Sequence, residues 1–232
     1  MSSRTRSTRS APATALALAA GLLLAGCGGG DSGAPDASAA GQDHSAAGHD
    51  HSGAVASVSG GQGGPYQGVQ LTDPYQKPEF TLTDSTGAAF DFAERTAAGP
   101  TLLFFGYTNC PDVCPTTMAD TAVALRQVDP AVAAKTSVVF VTTDPARDTP
   151  EVLAEYLDRF DADLPTQVIG LTGDQAQIDQ AQLAAGVPQA EDEGQTHSAL
   201  LLLYGTDGEA DVAFDAGNTA ADIAHDLAVV AE

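Results

Sequence analysis

The residues best suited to chemistry lie in Asn109-Cys110-Pro111-Asp112-Val113-Cys114-Pro115, where two thiols stand four residues apart. The segment follows the apolar run Leu102-Leu103-Phe104-Phe105-Gly106-Tyr107 and precedes a helical pattern. Ligands of open α/β sheets gather at such strand-to-helix turns. Proline suits the first position of a helix, where its missing N–H is no loss. Pro115 therefore predicts a helix start with Cys114 at the N-cap and Cys110 in the loop before it. Both sulfurs then face a helix N-terminus, whose unpaired N–H groups and dipole favour thiolate. A thiolate pair attacks disulfides, and it is also a soft donor set that prefers Cu(I).

Spacing bears on the choice between these roles. Residues four apart in a regular helix hold their Cβ atoms about 5–6 Å apart, wider than the roughly 3.5–4.5 Å of a disulfide. Pro111 lies in a loop and permits closure, so a disulfide and a metal bridge both stay open. A purely structural staple over so short a loop would stabilise little.

A third ligand would have to come from elsewhere in the chain. His197, in Gln195-Thr196-His197-Ser198, follows the acidic Glu191-Asp192-Glu193 and precedes the apolar run at Leu200. Alone it reads as a hydrogen-bonded surface residue, but beside a cysteine pair it reads as a ligand. Asp144-Pro145-Ala146-Arg147-Asp148-Thr149-Pro150 follows another strand at the same sheet edge, so Asp144 or Asp148 could orient a ligand from behind it. Asp148 or Thr149 would equally serve as N-cap of the helix near Pro150, and Asp144 could simply fix a turn. His225, late in the last helical segment, reads as an unpaired surface residue.

Several elements must position these groups. Leu102–Tyr107 and Val138-Val139-Phe140-Val141 are continuous apolar runs, as expected of strands buried on both faces. Between them Met118, Ala122, Leu125 and Val128 recur near helical spacing, which makes a strand, crossover helix and parallel strand. Further helices are expected at 150–160, 174–185 and 220–230, and strands at 168–170, 199–203 and 211–214, the last two joined through Thr206-Asp207-Gly208. Residues 80–83 and 89–92 alternate around a turn-rich break and read as a β-hairpin. The class is α/β, a thioredoxin-like central mixed sheet with flanking helices and an added N-terminal β-hairpin.

The N-terminus reads as an address. Arg4, Arg6 and Arg9 precede an apolar, uncharged run from Ala11 to Ala25 that is short for a membrane span. The run ends in Leu24-Ala25-Gly26-Cys27, which resembles a bacterial lipobox. The expectation is a lipoprotein signal peptide over 1–26, lipidation of Cys27, and an extracytoplasmic domain held to the cell membrane by lipid. Residues 27–64 are Gly, Ala, Ser, Asp and His with almost no large apolar residue, and read as a disordered tether. Its His44, His49 and His51 could loosely hold a divalent metal or be merely polar. The remaining residues, 65–232, fit one domain.

The whole chain carries a formal charge of −22. Loss of the signal would remove three of nine basic residues and none of the thirty-one acidic ones, leaving about −25. Such a balance disfavours nucleic acid, and it offers no basic patch to anionic lipid.

Cys110-Pro111-Asp112-Val113-Cys114-Pro115, the Asp144–Pro150 segment and His197-Ser198 before an apolar strand together resemble the Sco (SenC) family of copper chaperones, over roughly residues 69 to 232. The resemblance implies copper, as Cu(I) with Cu(II) left open, bound by Cys110, Cys114 and His197. It also implies use of that copper in assembling the dinuclear centre of cytochrome c oxidase. The partners implied are the copper-bearing oxidase subunit and another copper chaperone as donor. Members commonly carry Asp directly before the histidine, where this chain has Thr196, so a residue orienting the ligand is missing or replaced. A competing reading is a thiol-disulfide oxidoreductase that reduces the cysteines of the oxidase site and needs neither metal nor His197. A peroxidase is disfavoured because Pro111 and Tyr107 stand where a threonine would precede the reactive cysteine.

Overall fold

A computed structural model describes residues 64–192 and 194–232. The expectations for the signal peptide, Cys27, and the histidines of the tether lie outside these residues. Among the described residues no helix is long and apolar enough to cross a membrane.

The frame is one eight-stranded sheet. Its centre is three parallel strands, β4 (Thr101–Gly106), β5 (Ser137–Thr142) and β6 (Val168–Thr172). On the far side of β4 lie β7 (Leu201–Tyr204) and β8 (Glu209–Phe214), each antiparallel to its neighbour. Beyond β8 lies β1 (Val69–Gln76), and beyond β6 lies the antiparallel pair β2 (Thr81–Asp84) and β3 (Ala89–Asp91). This is a thioredoxin-like mixed sheet with helices on both faces.

Alternation within β4 shows why its run is apolar throughout. Leu102 and Phe104 join one core with Met118, Leu125, Phe140, Leu153, Leu157, Ile223 and Leu227. Leu103 and Phe105 join the other, with Phe90, Phe92, Val139, Val141, Ile178, Leu202 and Tyr204. The first core lies beneath α2 (Val113–Gln127), α4 (Pro150–Asp161) and α6 (Ala220–Val230). The second lies beneath the short α1 (Phe92–Arg95) and α5 (Gln175–Ala184). Another short helix, α3 (Pro130–Ala133), links α2 to β5. Truncating one of these buried leucines would cost about 2–5 kcal/mol, so the site rests on a stiff floor.

Three local expectations change. Strand β1 was not expected, because Val69-Gln70-Leu71-Thr72-Asp73-Pro74-Tyr75-Gln76 lacks clean alternation and contains a proline. As an edge strand it tolerates Pro74, and its register with β8 shifts between Gln70 and Tyr75. Helix α2 begins at Val113 with Asp112 as N-cap, so Pro115 is its third residue, not its first. The first four N–H groups of a helix have no partner within it, so proline is tolerated there as well. Finally, His225 is not unpaired. Its Nδ1 lies 2.9 Å from the buried Asp226 carboxylate, which also accepts from the backbone N–H groups of Gln67 and Gly68.

Candidate functional site

Strands β4 and β5 run in parallel and end in register at Gly106 and Thr142. Strand β7 runs the other way, with Leu201 opposite Phe104. The loop after β4, which carries Cys110, and the loop before β7, which carries His197, therefore reach one edge of the sheet.

The cysteine loop is organised by the start of α2. Asp112 occupies the N-cap position but makes no side-chain cap bond. The sulfur of Cys110 takes that place, accepting from the Cys114 N–H at 3.4 Å. Burial by itself would raise the Cys110 thiol. The backbone N–H groups of Cys114, Asp112 and Val113, with the Cys114 thiol, outweigh it and hold Cys110 below the ordinary thiol range. Cys114 is different. It is fully buried, and burial pushes its thiol far up, with the neighbouring Cys110 adding to the rise. The expectation that the helix N-terminus activates both thiols thus holds for Cys110 alone, because Cys114 sits inside the first turn and beneath it. Gly106 gives Cys114 its room: a Cβ there would stand 2.9 Å from the Cys114 sulfur.

His197 comes to within 3.8 Å of Cys114, Nε2 to Sγ. Its Nδ1 lies 2.8 Å from the Ser198 carbonyl oxygen. A carbonyl only accepts, so Nδ1 carries the proton, and in the neutral ring the Nε2 lone pair faces the sulfur. The ring stands edge-on to Tyr107 and Phe104, with centroids 5.7 and 6.3 Å away. Tyr107 is itself buried, and burial followed by the charges of Cys110 and Cys114 raises its phenol.

Asp148 leaves the capping of α4 to Thr149. Only 1% exposed, it accepts from the Thr108 N–H at 2.9 Å and from the hydroxyls of Thr108 and Thr142 at 2.6 Å each. It thereby ties the start of the cysteine loop to the end of β5. Asp144 is paired with the Arg147 guanidinium. Thr196, before the histidine, donates to the Asp192 carboxylate at 3.0 Å and bridges to Glu191, closing a tight loop.

The structure thus brings Cys114 to His197 and Cys110 to Cys114. Among the described residues no three His, Cys, Asp or Glu side chains are already gathered at metal-holding separation. The Cys110 sulfur is engaged by the Cys114 N–H. At 3.8 Å, Cys114 Sγ and His197 Nε2 are near enough that both could hold one soft metal ion, with Cys110 the third donor at this edge. Tyr107, Thr108 and Thr142 were not anticipated. The only signals for them were their places at the ends of the apolar runs.

Comparison with known proteins places the chain in a family. The SCO1/SenC family profile matches residues 69–232. A protein of Stutzerimonas stutzeri, named as copper-binding, is 37% identical over 137 residues, covering 56% of this chain and 65% of that one. The human mitochondrial SCO1 homologue is 34% identical over 139 residues, covering 56% of this chain and 44% of its own. The chain therefore spans less than two thirds of the length of either relative. Among solved structures, copper-bound ScoI of Bradyrhizobium japonicum is 34% identical and superposes with a TM-score of 0.54, over 67% of this chain and 99% of that one.

Proposed function

The chain belongs to the SCO1/SenC family, and from that premise we propose that it binds one copper ion through Cys110, Cys114 and His197. We propose further that it delivers the ion to, or prepares, the dinuclear copper site of cytochrome c oxidase. The observation that carries this reading is the approach of His197 Nε2 to Cys114 Sγ at 3.8 Å with Nδ1 committed to the Ser198 carbonyl. A histidine fixed in that tautomer presents a lone pair, the state a metal ligand needs. The donor set of two thiolates and an imidazole suits Cu(I), with Cu(II) accessible through the nitrogen.

Copper is the cargo here, and the residues divide the work of handling it. Cys110, partly exposed and with its thiol lowered, meets the ion and the partner first. Its sulfur leaves the Cys114 N–H to close the site, and transfer runs back through Cys110 by exchange of ligands. Burial disfavours thiolate at Cys114, so in this reading that sulfur gives up its proton as the cation arrives beside it. Asp148 holds the root of the loop, and Asp144 is taken up by its pair with Arg147. Lipidation at Cys27 would keep this exchange at the outer face of the cell membrane, with a second copper chaperone as donor.

The same asymmetry favours a second reading, in which the protein reduces the oxidase cysteines. Cys110 thiolate would attack the target disulfide, releasing one target thiolate and forming a mixed disulfide. Cys114, giving its proton to the target thiolate just released, would then attack the Cys110 sulfur, forming the Cys110–Cys114 disulfide and releasing the second target thiolate. The target gains two electrons and the Cys110–Cys114 pair loses them.

Loading the reduced, anaerobic protein with Cu(I) tests the first reading. One tight copper per chain, lost in Cys110→Ala, Cys114→Ala and His197→Ala, is the expected result. A reduced dithiol that binds no copper would leave disulfide exchange as the activity. The two readings separate on His197→Ala, which should abolish tight copper binding while leaving reduction of a target disulfide intact.

A further inference from the structure

Thr143, the residue after β5, touches both ligand-bearing loops. Its N–H donates to the Gly106 carbonyl at 2.7 Å, beneath the root of the cysteine loop. Its hydroxyl donates to the Gly194 carbonyl at 2.7 Å, with the Gly106 carbonyl a weaker second acceptor at 3.3 Å. Thr143 is fully buried, so no water competes for these bonds.

Gly194 is built for this contact. Its φ is +87°, a backbone conformation that disfavours any side chain, and an added Cβ would stand 2.0 Å from the Thr143 carbonyl oxygen. Three residues further on is His197. The backbone between them is closed by Glu191 and Thr196, which exchange hydrogen bonds at 2.7 and 3.2 Å. With so short and closed a loop, the position of Gly194 fixes where the imidazole can stand. On the other side, Gly106 is the residue against which Cys114 Sγ packs.

We propose that Thr143 is a positioning residue that sets the separation of His197 from Cys114 by clamping Gly194 and Gly106 to one point. It makes no contact with the cargo. It acts by holding the imidazole within bridging distance of the sulfur before an ion arrives, which spares the entropy of ordering the loop at that moment. The inference rests on the copper reading for its consequence but not for its geometry.

The test compares Thr143→Val, which keeps the shape and loses the hydroxyl, with Thr143→Ser, which keeps the hydroxyl. Cu(I) affinity of the reduced full chain is read by competition with bicinchoninate. Thr143→Val should weaken binding about tenfold, the effect of one good buried hydrogen bond. Thr143→Ser should lie within about twofold of the native protein. Adding Thr143→Val to His197→Ala should cause no further loss, because nothing remains to position. Thr143→Ala, which loses the same hydroxyl and adds no new contact, should follow the pattern of Thr143→Val, and it serves if the valine variant does not fold. A Thr143→Val protein that binds as tightly as native, or that loses as much on the His197→Ala background, would overturn the proposal.

Should His197→Ala leave copper affinity unchanged, the copper reading fails, and the clamp is then read without metal. In the reduced apo-protein, Thr143→Val should shift the His197 ring nitrogen resonances and Thr143→Ser should not. Unmoved resonances in the valine variant would refute the clamp itself.

Discussion

Residues 107–114 and residues 191–198 reach the same sheet edge by different routes, one running into a helix and the other into a strand. The cysteine loop is held from inside by Asp148, and its sulfur serves as the cap of α2. The histidine loop runs into a strand and is closed by its own turn, with Asp192 at φ 51° and Gly194 at +87°. One half of the site is therefore rigid and electrostatically polarised, while the other is a short closed loop pinned at a few points. For the proposed carrier, such a division leaves Cys114 fixed against the helix and His197 held by its closed loop, while Cys110 is the donor that moves to meet the ion.

The largest difference between the two loops is expected in Asp148→Ala. It strands the Thr108 N–H and two hydroxyls in a buried place, and we expect a loss of about 3 kcal/mol in denaturant unfolding. The Cys110 thiol should become more mobile while the His197 ring signals stay put. Equal disturbance of both loops would show that they are one unit. Gly106→Ala should cost about 1–3 kcal/mol by overpacking and displace Cys114 from His197, which copper affinity would report as a loss greater than the stability change explains.

The polarity within the cysteine half is sharpened by alkylation of the native reduced protein. The Cys110 thiol is lowered, so its rate against pH should have a midpoint below the ordinary thiol value of about 8.5. The buried Cys114 should react at least about tenfold more slowly at every pH up to that value. Two thiols with one common profile would erase the asymmetry on which both functional readings draw. The smallest effect belongs to Thr196→Ala. Its bond to Asp192 is exposed, so stability should change by about 0.5 kcal/mol or less, with copper affinity within about twofold of native.

The two halves also differed in how far the sequence announced them. Cys110, Cys114 and the βα unit around them were legible because their signals are local: a continuous apolar run, two thiols at fixed spacing, a proline near the helix start. Even so, Pro115 alone placed the helix start two residues late, since proline is allowed through the whole first turn. His197 stood out only through the company of distant cysteines and a family resemblance, because nothing near it distinguishes a ligand from a surface histidine. Asp148 read equally as cap and as support, and only the fold shows its carboxylate turned inward. Thr143 and Gly194 gave no signal at all. A threonine ending an apolar strand and a glycine in an acidic turn are both ordinary, and their meaning lies in an approach between residues 51 positions apart.

The central claim is that these two halves form a single three-ligand site, and X-ray absorption at the copper edge tests it most directly. The protein would be the full chain loaded with one equivalent of Cu(I), with His44, His49 and His51 replaced by Ala so that the tether contributes no nitrogen. A site built on both halves gives two sulfur neighbours and one imidazole nitrogen, the nitrogen vanishing in His197→Ala. Copper bound by sulfur alone, with a spectrum unchanged by His197→Ala, would contradict it.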